Sequence, residues 1–436
     1  MFQRYVALTS LLFGSALIGN AQTSGTILGT VRDSSGAGVA NAKVTVVDIN
    51  KGTTQTATTD ESGSYNVPFL PPGTYRATVE QTGFARQQSA DTPLDVDQRA
   101  RLDFTLQIGN VSETVSVSAA APLVRSESSE LGQVITERAI RELPLNGRNF
   151  AQLVYLVPGV TPGQNGENLS GASTFNPRAS SNFNALGSQA NANAWLVDGI
   201  IDNEYTFNTV MVQPSVESIQ EFKVLTGTFS AEYGRGAGVV TTQTHSGNNQ
   251  FHGSAFEFLR NNYFDARNYF NARTDAQGNP RVHPPYRRNQ FGGSVGGPIW
   301  KNKTFFFADY YGQREIKGQT FINTVPTAQE RLGDFSDIAG LTLYNPFTTR
   351  IENGKVVRDV FNGNKITPGL INQVGSNVAN LYPLPNLPGT FNNRVDVFSR
   401  DLNDKGGNLR VDHRISDKDS LFGRFSFEQF LLFDTK

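Results

Sequence analysis

The sequence predicts a mainly β protein with three successive parts: an antiparallel β-sandwich, a mixed α/β domain and a series of two-faced strands. Short runs of β-branched residues alternate with turns up to about residue 108, and aromatic residues alternate with polar ones from about residue 249. Helical spacing is confined to residues 133–142 and 152–157. We therefore expect strands to dominate the fold.

The composition excludes several kinds of partner and site. At 436 residues the chain has room for about two to four domains. Its 38 basic residues are balanced by 39 acidic ones, so a basic surface for nucleic acid is not expected. The chain contains no Cys, which rules out disulfides and thiolate metal sites.

The N-terminus has the pattern of an export signal. Arg4 supplies a short positive region, residues 6–18 are apolar, and Ala21 is a small residue at the position that cleavage requires. We expect cleavage between Ala21 and Gln22, so that residues 1–21 form a signal peptide. A buried N-terminal helix fits less well because strand-like sequence follows directly. No later segment has eighteen consecutive apolar residues, so a helical membrane span is not expected.

Residues 22–108 predict a small antiparallel β-sandwich. Strand-like runs separated by turns occur at residues 26–32, 42–49, 55–59, 64–69, 74–81 and 101–107. Several motifs in these runs resemble the carboxypeptidase regulatory-like domain: Gly29-Thr30-Val31, Ala42-Lys43-Val44, Gly63-Ser64-Tyr65 and Leu70-Pro71-Pro72-Gly73-Thr74-Tyr75. The resemblance implies a carbohydrate-binding-like sandwich without peptidase activity, and a sugar-binding role would rest on fold analogy alone.

A short extended run lies in the linker at residues 109–122. It consists of Glu113, Thr114, Val115, Ser116, Val117, Ser118 and Ala119. The run resembles a TonB box, the peptide that pairs as an added strand with the energy-coupling protein TonB. Its β-branched residues favour the extended backbone that such pairing needs. An ordinary linker strand would have the same composition, and the position of the run before the next domain favours the TonB box.

Residues 123–249 predict a mixed α/β domain with a pair of short helices at residues 133–142 and 152–157. Three groups of residues stand out along it: Leu143, Pro144, Asn146, Gly147, Arg148 and Asn149; Asp198 and Gly199; and Glu232, Tyr233, Gly234 and Arg235. In this order they resemble the plug of TonB-dependent receptors, and specifically the Oar-like group. We expect Asp198 and Gly199 to form a tight turn. We expect Glu232 and Arg235 to pair with charges on a surrounding barrel wall.

Residues 250–436 predict strands of a membrane barrel. In residues 420–430, one face carries Gly423, Phe425 and Phe427, and the other carries Arg424, Ser426 and Glu428. Residues 409–415 repeat this alternation, and residues 254–260 and 304–311 show it less regularly. Strands with an apolar outer face and a polar inner face suit a barrel in a bilayer. A soluble sandwich would show similar alternation, and the resemblance to a plug favours the barrel. Residues 324–400, rich in Pro, Asn and Gly, are expected to form an extracellular loop.

The number of strands predicts that the barrel is incomplete. Plugged outer-membrane transporters have about 22 strands, whereas we expect only about six after residue 250. An open sheet in a bilayer would leave unpaired edges, so we expect a truncated gene product or a partial gene model. The predicted fold class is therefore mainly β, with an N-terminal antiparallel β-sandwich, an α/β plug domain and an incomplete outer-membrane β-barrel.

No catalytic or metal site is expected. The four histidines, His245, His252, His283 and His413, belong to no zinc motif and to no evident Ser-His-Asp arrangement. The glycines at 234, 236 and 238 lack the Lys-Ser/Thr of a phosphate loop, so close backbone packing explains them better. We expect neither a cofactor nor enzymatic activity.

The resemblance implies a TonB-dependent outer-membrane receptor or transporter for energy-coupled passage of an unknown bulky substrate. The implied partners are the TonB energy-coupling complex, outer-membrane lipid and a substrate for which glycan and peptide are candidates. The N-terminal domain would lie in the periplasm. The alternative is a carbohydrate- or peptide-binding surface module anchored in the outer membrane. Tyr65, Phe69, Tyr75 and Phe84 are available for it, although such aromatic residues are more often sandwich core.

Overall fold

The structure is a computed structural model that describes residues 24–109, 114–117, 129–163, 182–190, 192–204, 208–233, 237–266, 283–416 and 419–434. The expected signal peptide and its cleavage site, Ala21 and Gln22, lie outside these residues. The chain divides into two compact units. One comprises Met1–Phe258, Gln290–Gln313 and Asn403–Leu431, and the other comprises Leu259–Asn289, Arg314–Leu402 and Leu432–Lys436. Among the described residues, no helix is long and apolar enough to cross a membrane.

The first unit begins with a β-sandwich. Its strands are β1 (Gly25–Asp33), β2 (Lys43–Asp48), β3 (Thr54–Thr58), β4 (Ser64–Leu70), β5 (Gly73–Glu80), β6 (Arg86–Ser89), β7 (Thr92–Leu94), β8 (Arg99–Arg101) and β9 (Phe104–Leu106). One sheet has the order β4-β1-β8 with β9 also beside β1, and the other contains β6-β5-β2-β3 with β7 beside β5. Alternate residues of β1, including Ile27 and Val31, are fully buried in a shared apolar core.

The sandwich differs from the prediction in two places. The strand expected at residues 101–107 is divided into β8 and β9, which pair in parallel with different parts of β1. Strands β6 and β7 were not predicted. Their short, mostly polar sequences carry too few apolar positions to show a period, and β6 forms because its backbone pairs with β5.

The α/β domain also belongs to the first unit. Strand β10 (Thr114–Val117) precedes this domain in the chain and pairs with β6 of the sandwich. The strands of the domain itself are β11 (Leu131–Ile135), β12 (Val160–Pro162), β13 (Phe183–Ala185), β14 (Ala194–Val197), β15 (Ile200–Ile201), β16 (Ile219–Gly227) and β17 (Val239–Thr244). Its helical segments are α1 (Glu137–Glu142) and the 3₁₀ helices Asn146–Arg148, Phe150–Leu156, Val216–Ser218 and Ala231–Tyr233. The main sheet has the order β11-β16-β17-β14-β15. Phe150 packs edge-on against Trp195 and Phe222, with ring centroids 5.9 and 5.6 Å away, at the centre of the core.

The prediction of a helix at residues 133–142 is wrong for residues 133–135. Residues 131–135 form β11, and the helix occupies only Glu137–Glu142. Antiparallel pairing with β16, in which Ile135 lies opposite Phe222, overrides the helical spacing. The second expected helix, at residues 152–157, is the 3₁₀ helix Phe150–Leu156.

Five long strands form one sheet. They are β18 (His252–Asn261), β19 (Tyr286–Trp300), β20 (Thr304–Asn323), β23 (Arg394–Arg414) and β24 (Ser420–Asp434). The connection between β20 and β23 contains a separate hairpin of β21 (Arg350–Glu352) and β22 (Lys355–Val357). The sheet order is β18-β19-β20-β23-β24. The predicted alternation in β24 is confirmed, because Phe425 and Phe427 are 66% and 44% exposed whereas Arg424 and Glu428 are partly buried. Strand β19 was not predicted, since its glycines interrupt the alternation of side chains.

The second unit contains the connection between β20 and β23. It carries α2 (Gln373–Leu381) and the 3₁₀ helices Glu330–Leu332, Pro346–Thr348, Asn362–Asn364 and Pro368–Leu370. Its two ends are joined by the fully buried Asn393, whose side chain donates to Val325 O and accepts from Val325 N, both at 2.8 Å. The predicted loop therefore ends before residue 394 rather than at 400, because Val395 and Val397 already alternate with polar neighbours in β23. An extracellular position of this connection remains a prediction.

Candidate functional site

The turn between β14 and β15 places a carboxylate inside the α/β domain. Val197 pairs with Ile200, and the two residues between them have positive φ, 51° at Asp198 and 83° at Gly199. Two successive residues of this kind form a tight hairpin turn, and Gly adopts such a backbone without strain. The predicted turn is confirmed, and it leaves Asp198 fully buried.

Asp198 forms ion pairs with two arginines of the long strands. Its Oδ1 lies 2.8 Å from Nη1 of Arg410, and its Oδ2 lies 3.0 Å from Nε of Arg424. Thr244 donates its backbone N–H to Oδ1 at 2.9 Å and its hydroxyl to Oδ2 at 2.8 Å. Each carboxylate oxygen thus has two donors, which compensates for the loss of water around a buried charge.

Arg410 has further partners of its own. Asp412 accepts from Nη2 at 2.8 Å and from Nε at 3.0 Å, and the guanidinium lies 4.7 Å from the ring centroid of Phe422. We call Asp198, Thr244, Arg410, Asp412 and Arg424 the Asp198 cluster. Its two carboxylates match its two guanidinium groups. Removing one member of such a balanced set leaves an uncompensated buried charge, which typically costs about 3–5 kcal/mol.

A second set of polar contacts joins the α/β domain to the long strands. Asp309 accepts from the Ser215 hydroxyl at 2.7 Å and from Nδ2 of Asn408 at 3.2 Å. The backbone N–H of Gln213 donates to Glu428 at 3.3 Å. Polar groups of this kind can exchange protein partners for water at small net cost.

The motif from Leu143 to Asn149 includes one residue that organises the core. Asn149 is 2% exposed, and its Oδ1 accepts from the Ala151 N–H at 3.0 Å and from Nε2 of Gln213 at 2.8 Å. The first bond caps the 3₁₀ helix Phe150–Leu156. Asn149 therefore fixes Phe150 in the aromatic core.

Arg148 of the same motif contacts β18. It forms an ion pair with Glu217, and its guanidinium carbon lies 4.3 and 4.7 Å from the ring centroids of Phe256 and Phe258. Gly147 permits the required turn with a φ of 75°. The other motif residues shape this connection: Leu143 follows α1 directly, Pro144 comes next, and Asn146 begins a 3₁₀ helix.

Lys223 of β16 binds the sandwich. Its Nζ lies 2.7 Å from Oδ2 of Asp97 and 2.8 Å from Oε2 of Glu130, and Lys223 is 6% exposed. The Tyr233 hydroxyl donates to the same oxygen of Asp97 at 3.2 Å. Burial raises the pKa of Asp97 although Lys223 opposes the shift. The β7–β8 connection of the sandwich is thus held on the α/β sheet by charge.

Glu221, two residues before Lys223, faces the same connection. Its carboxylate accepts the backbone N–H of Val96, which is fully buried. Burial, reinforced by the nearby charge of Asp95, raises the pKa of Glu221 to about 8. The contact between sandwich and α/β domain therefore contains a carboxyl group that changes charge near neutral pH.

The extended linker run is partly described. Thr114–Val117 forms β10, which pairs in parallel with β6 at the end of the second sandwich sheet. Glu113, Ser118 and Ala119 lie outside the described residues. The strand conformation agrees with the extended backbone expected of this run, and its role remains a prediction.

The third predicted motif is described only at Glu232 and Tyr233, so its expected pairing with a barrel wall remains a prediction. Glu232 is exposed, and within the described residues it shows no ion pair with the long strands. Gly234 and Arg235 lie outside the described residues. The carboxylate of Asp198 does form ion pairs with the long strands.

Three family models match successive parts of the chain. The carboxypeptidase regulatory-like domain matches residues 26–107, the TonB-dependent receptor plug domain residues 125–240, and an outer membrane beta barrel domain residues 243–436. The chain is also 28% identical over 323 residues to the TonB-dependent transporter Oar of Myxococcus xanthus, a match covering 70% of this chain and 28% of that protein. This chain belongs to the TonB-dependent outer-membrane transporters.

The predicted family, the mainly β fold and the outer-membrane location of this TonB-dependent transporter are thereby confirmed. The chain spans about 28% of the length of the curated relative that it matches. Similar solved structures include a protein described as carbohydrate-binding from Bacteroides uniformis, 22% identical, covering 19% of this chain and 40% of that one, with a TM-score of 0.17. Another is a catechol 1,2-dioxygenase from Acinetobacter, 15% identical, covering 24% and 60%, also with a TM-score of 0.17. These two similarities are too low to support a function.

TonB-dependent transporters are receptors and transporters rather than enzymes, which confirms the expected absence of enzymatic activity in this family member. Within the described residues, no group of His, Asp and Glu has an arrangement that could hold a metal ion. His245 lies against Phe307 with ring centroids 5.3 Å apart, as a packing residue would.

The aromatic residues of this transporter's sandwich belong mainly to its core. Tyr65 and Tyr75 are buried, and their hydroxyls donate to Leu102 O at 2.7 Å and Pro71 O at 2.6 Å. Phe84 packs against the same core, whereas Phe69 is 57% exposed. Of these four residues Phe69 is the one that is largely exposed, and a sugar-binding role of the sandwich remains a prediction.

Sequence reasoning missed the partners in this transporter's plug contacts. Arg410 and Arg424 were recognised only as members of polar strand faces, and Lys223 and Glu221 only as part of a strand-like run. The signal for the arginines was their position on the polar face of a two-faced strand. A charge on that side requires a counter-charge from the plug.

Proposed function

We propose that this transporter moves a bulky substrate across the outer membrane with energy delivered by TonB. In this proposal TonB grips residues 113–119, and the plug is loosened within the barrel. The Asp198 cluster is the observation that carries the proposal. It joins plug to wall through charges that are satisfied in the closed state and that water can solvate once the plug moves.

We propose the following division of the chain: a signal peptide at 1–21, the regulatory-like sandwich at 22–108, a linker with the TonB-box-like segment at 109–122, the plug at 123–249 and barrel strands at 250–436. The family matches at 26–107, 125–240 and 243–436 support these boundaries. In this arrangement the sandwich and the linker lie in the periplasm, on the side from which TonB acts.

The plug sheet suggests how force would act. Among the described residues, β11 is the first plug strand after the linker, and it lies at one edge of the sheet, with β14 and β15 at the other. Five residue pairs join β11 to β16. Force on the linker would therefore separate an edge strand first, which breaks fewer contacts than extraction of an inner strand. The Asp198 cluster would hold the opposite edge until later.

Site-directed cross-linking tests the proposal. The chain has no Cys, so Val115→Cys or Val117→Cys introduces a single thiol. In cells with the full-length protein, we expect a disulfide between this thiol and a TonB that carries a Cys in its strand-pairing region. Ser34→Cys, at an exposed turn of the sandwich, is the control and should give none. Absence of a cross-link at both 115 and 117 would contradict the proposed TonB contact.

A further inference from the structure

The sandwich pairs with residues 114–117, the described part of the segment that the proposed function assigns to TonB. Strand β10 pairs in parallel with β6 over four residues, with Thr114 opposite Arg86 and Val117 opposite Ser89. On its other side β6 is paired with β5. Strand β10 is thus an added edge strand of the sandwich sheet, and it closes the edge that β6 would otherwise present.

The chain just before β10 is also held at this edge. The backbone N–H of Ala85 donates to Gln107 O at 2.9 Å, and the N–H of Gly109 donates to Gly83 O at 3.3 Å. Residues 107–109 and 114–117 therefore both follow the backbone of residues 83–89. The segment is positioned by main-chain pairing before any partner arrives.

A partner that binds residues 114–117 by strand addition would use backbone N–H and C=O groups, as the pairing with β6 does. A partner sheet that takes up residues 114–117 must pair with the N–H and C=O groups of one edge of this run. Successive residues of a strand direct these groups to opposite edges, so a four-residue strand offers about two residues to each. The edge directed toward β6 is occupied. A partner that requires it can bind only after β10 leaves the sandwich.

The ladder between β10 and β6 contains few residue pairs, so it can open locally. Only four residue pairs join β10 to β6, and parallel ladders are slightly less stable per residue than antiparallel ones. Edge segments with few pairs open locally without global unfolding. The apparent affinity of a partner then falls by the fraction of molecules in which the segment is released.

We propose that the regulatory-like sandwich is an intramolecular competitor of TonB: β6 holds the segment at 114–117, and TonB must displace β6 to bind it. This inference rests on the proposed function. It gives the sandwich a task that needs no sugar ligand. The sandwich restrains the coupling segment, and any event that loosens β6 from β10 makes the segment available.

A reversible disulfide tests the competition in the full-length protein. Arg86→Cys with Thr114→Cys places two thiols opposite each other across β6 and β10. The matched control, Thr78→Cys with Gln88→Cys, joins β6 to its inner neighbour β5 and places no cross-link between β6 and β10. Binding of a soluble periplasmic domain of TonB is measured for both proteins before and after reduction.

We expect the oxidised 86/114 protein to bind TonB at least about tenfold more weakly than its reduced form, because the released state is removed. The control pair should bind equally in both redox states. Equal binding by oxidised and reduced 86/114 protein would overturn the competition, since TonB would then be using the outer edge of β10. If the reduced protein also fails to bind, the proposed TonB contact is itself refuted, and the competition with it.

Discussion

Asp198 Oδ1 and Arg410 Nη1 lie 2.8 Å apart although the residues are 212 positions apart in the chain. Both side chains are almost completely buried, with 0% and 2% of their surface exposed. One belongs to the plug and the other to strand β23 of the barrel sheet. The pair is therefore a direct electrostatic connection between the plug and the barrel sheet.

Replacing the shared carboxylate should weaken this connection strongly. In Asp198→Asn, Arg410 and Arg424 lose a charged partner inside a site with little water, and we expect a loss of about 3–5 kcal/mol in unfolding free energy. Chemical denaturation in detergent would measure it. The control is Arg138→Gln, which removes an exposed i,i+4 pair with Glu142 and should change stability by less than about 1 kcal/mol. Similar effects of the two substitutions would count against the cluster.

The turn that presents Asp198 depends on Gly199. Its φ of 83° is unfavourable for a residue with a Cβ, so Gly199→Ala should destabilise the protein by about 1–2 kcal/mol. Gly423→Ala provides a comparison, because a Cβ there would meet no atom within 4 Å. Thermal melting of both variants in the same detergent would measure the difference. A lower melting temperature for Gly199→Ala alone would show that the turn requires Gly199, whereas equal melting temperatures would contradict this.

Asn149 should stabilise the folded plug through the two hydrogen bonds that its Oδ1 accepts. In Asn149→Ala, the 3₁₀ helix Phe150–Leu156 loses its cap and Gln213 loses an acceptor, so we expect a loss of about 0.5–2 kcal/mol or somewhat more. The exposed Asn377 of α2 gives a matched control, and Asn377→Ala should stay within about 0.5 kcal/mol. Equal melting temperatures for the two variants would show that the cap is dispensable.

Glu221 should make the contact between sandwich and plug sensitive to pH. Because its pKa is raised from 4.5 to about 8, the folded state favours the protonated carboxyl. Its contribution to stability is therefore greatest below pH 4.5 and declines as the pH rises to 8, by at most about 1.4 kcal/mol per pH unit.

Glu221→Gln keeps an acceptor for Val96 N–H but cannot ionise. The variant should thus gain stability relative to the native protein as the pH is raised from 5 to 8. Melting curves at several pH values would measure this gain. The exposed Glu232→Gln serves as control. A difference between Glu221→Gln and the native protein that does not change with pH would contradict the assignment.

The sequence predicted those parts of the fold that local patterns determine. The alternation of Phe425 and Phe427 with Arg424 and Glu428 indicated a two-faced strand, and the Asp-Gly pair at 198–199 indicated a tight turn. Both depend on neighbouring residues alone. The family was predicted because local motifs, such as residues 143–149, resemble those of known plugs.

The parts that depend on distant residues could not be predicted. Strand β11 has the spacing of a helix, and only its pairing with β16 makes it a strand. Nothing near Asp198 in the sequence indicates Arg410 as its partner. The pairing of β10 with β6 was equally hidden, because both strands are short and β6 is largely polar.

Single-molecule pulling on the full-length protein in a bilayer, with a handle attached at Val117→Cys, would measure how firmly the plug is held. We expect β11 to separate first at low force and a second, stronger event to follow when the Asp198 cluster opens. Asp198→Asn should lower the force of the second event and leave the first unchanged. One rupture at a force that Asp198→Asn does not alter would contradict the claim that this cluster holds the plug in the barrel.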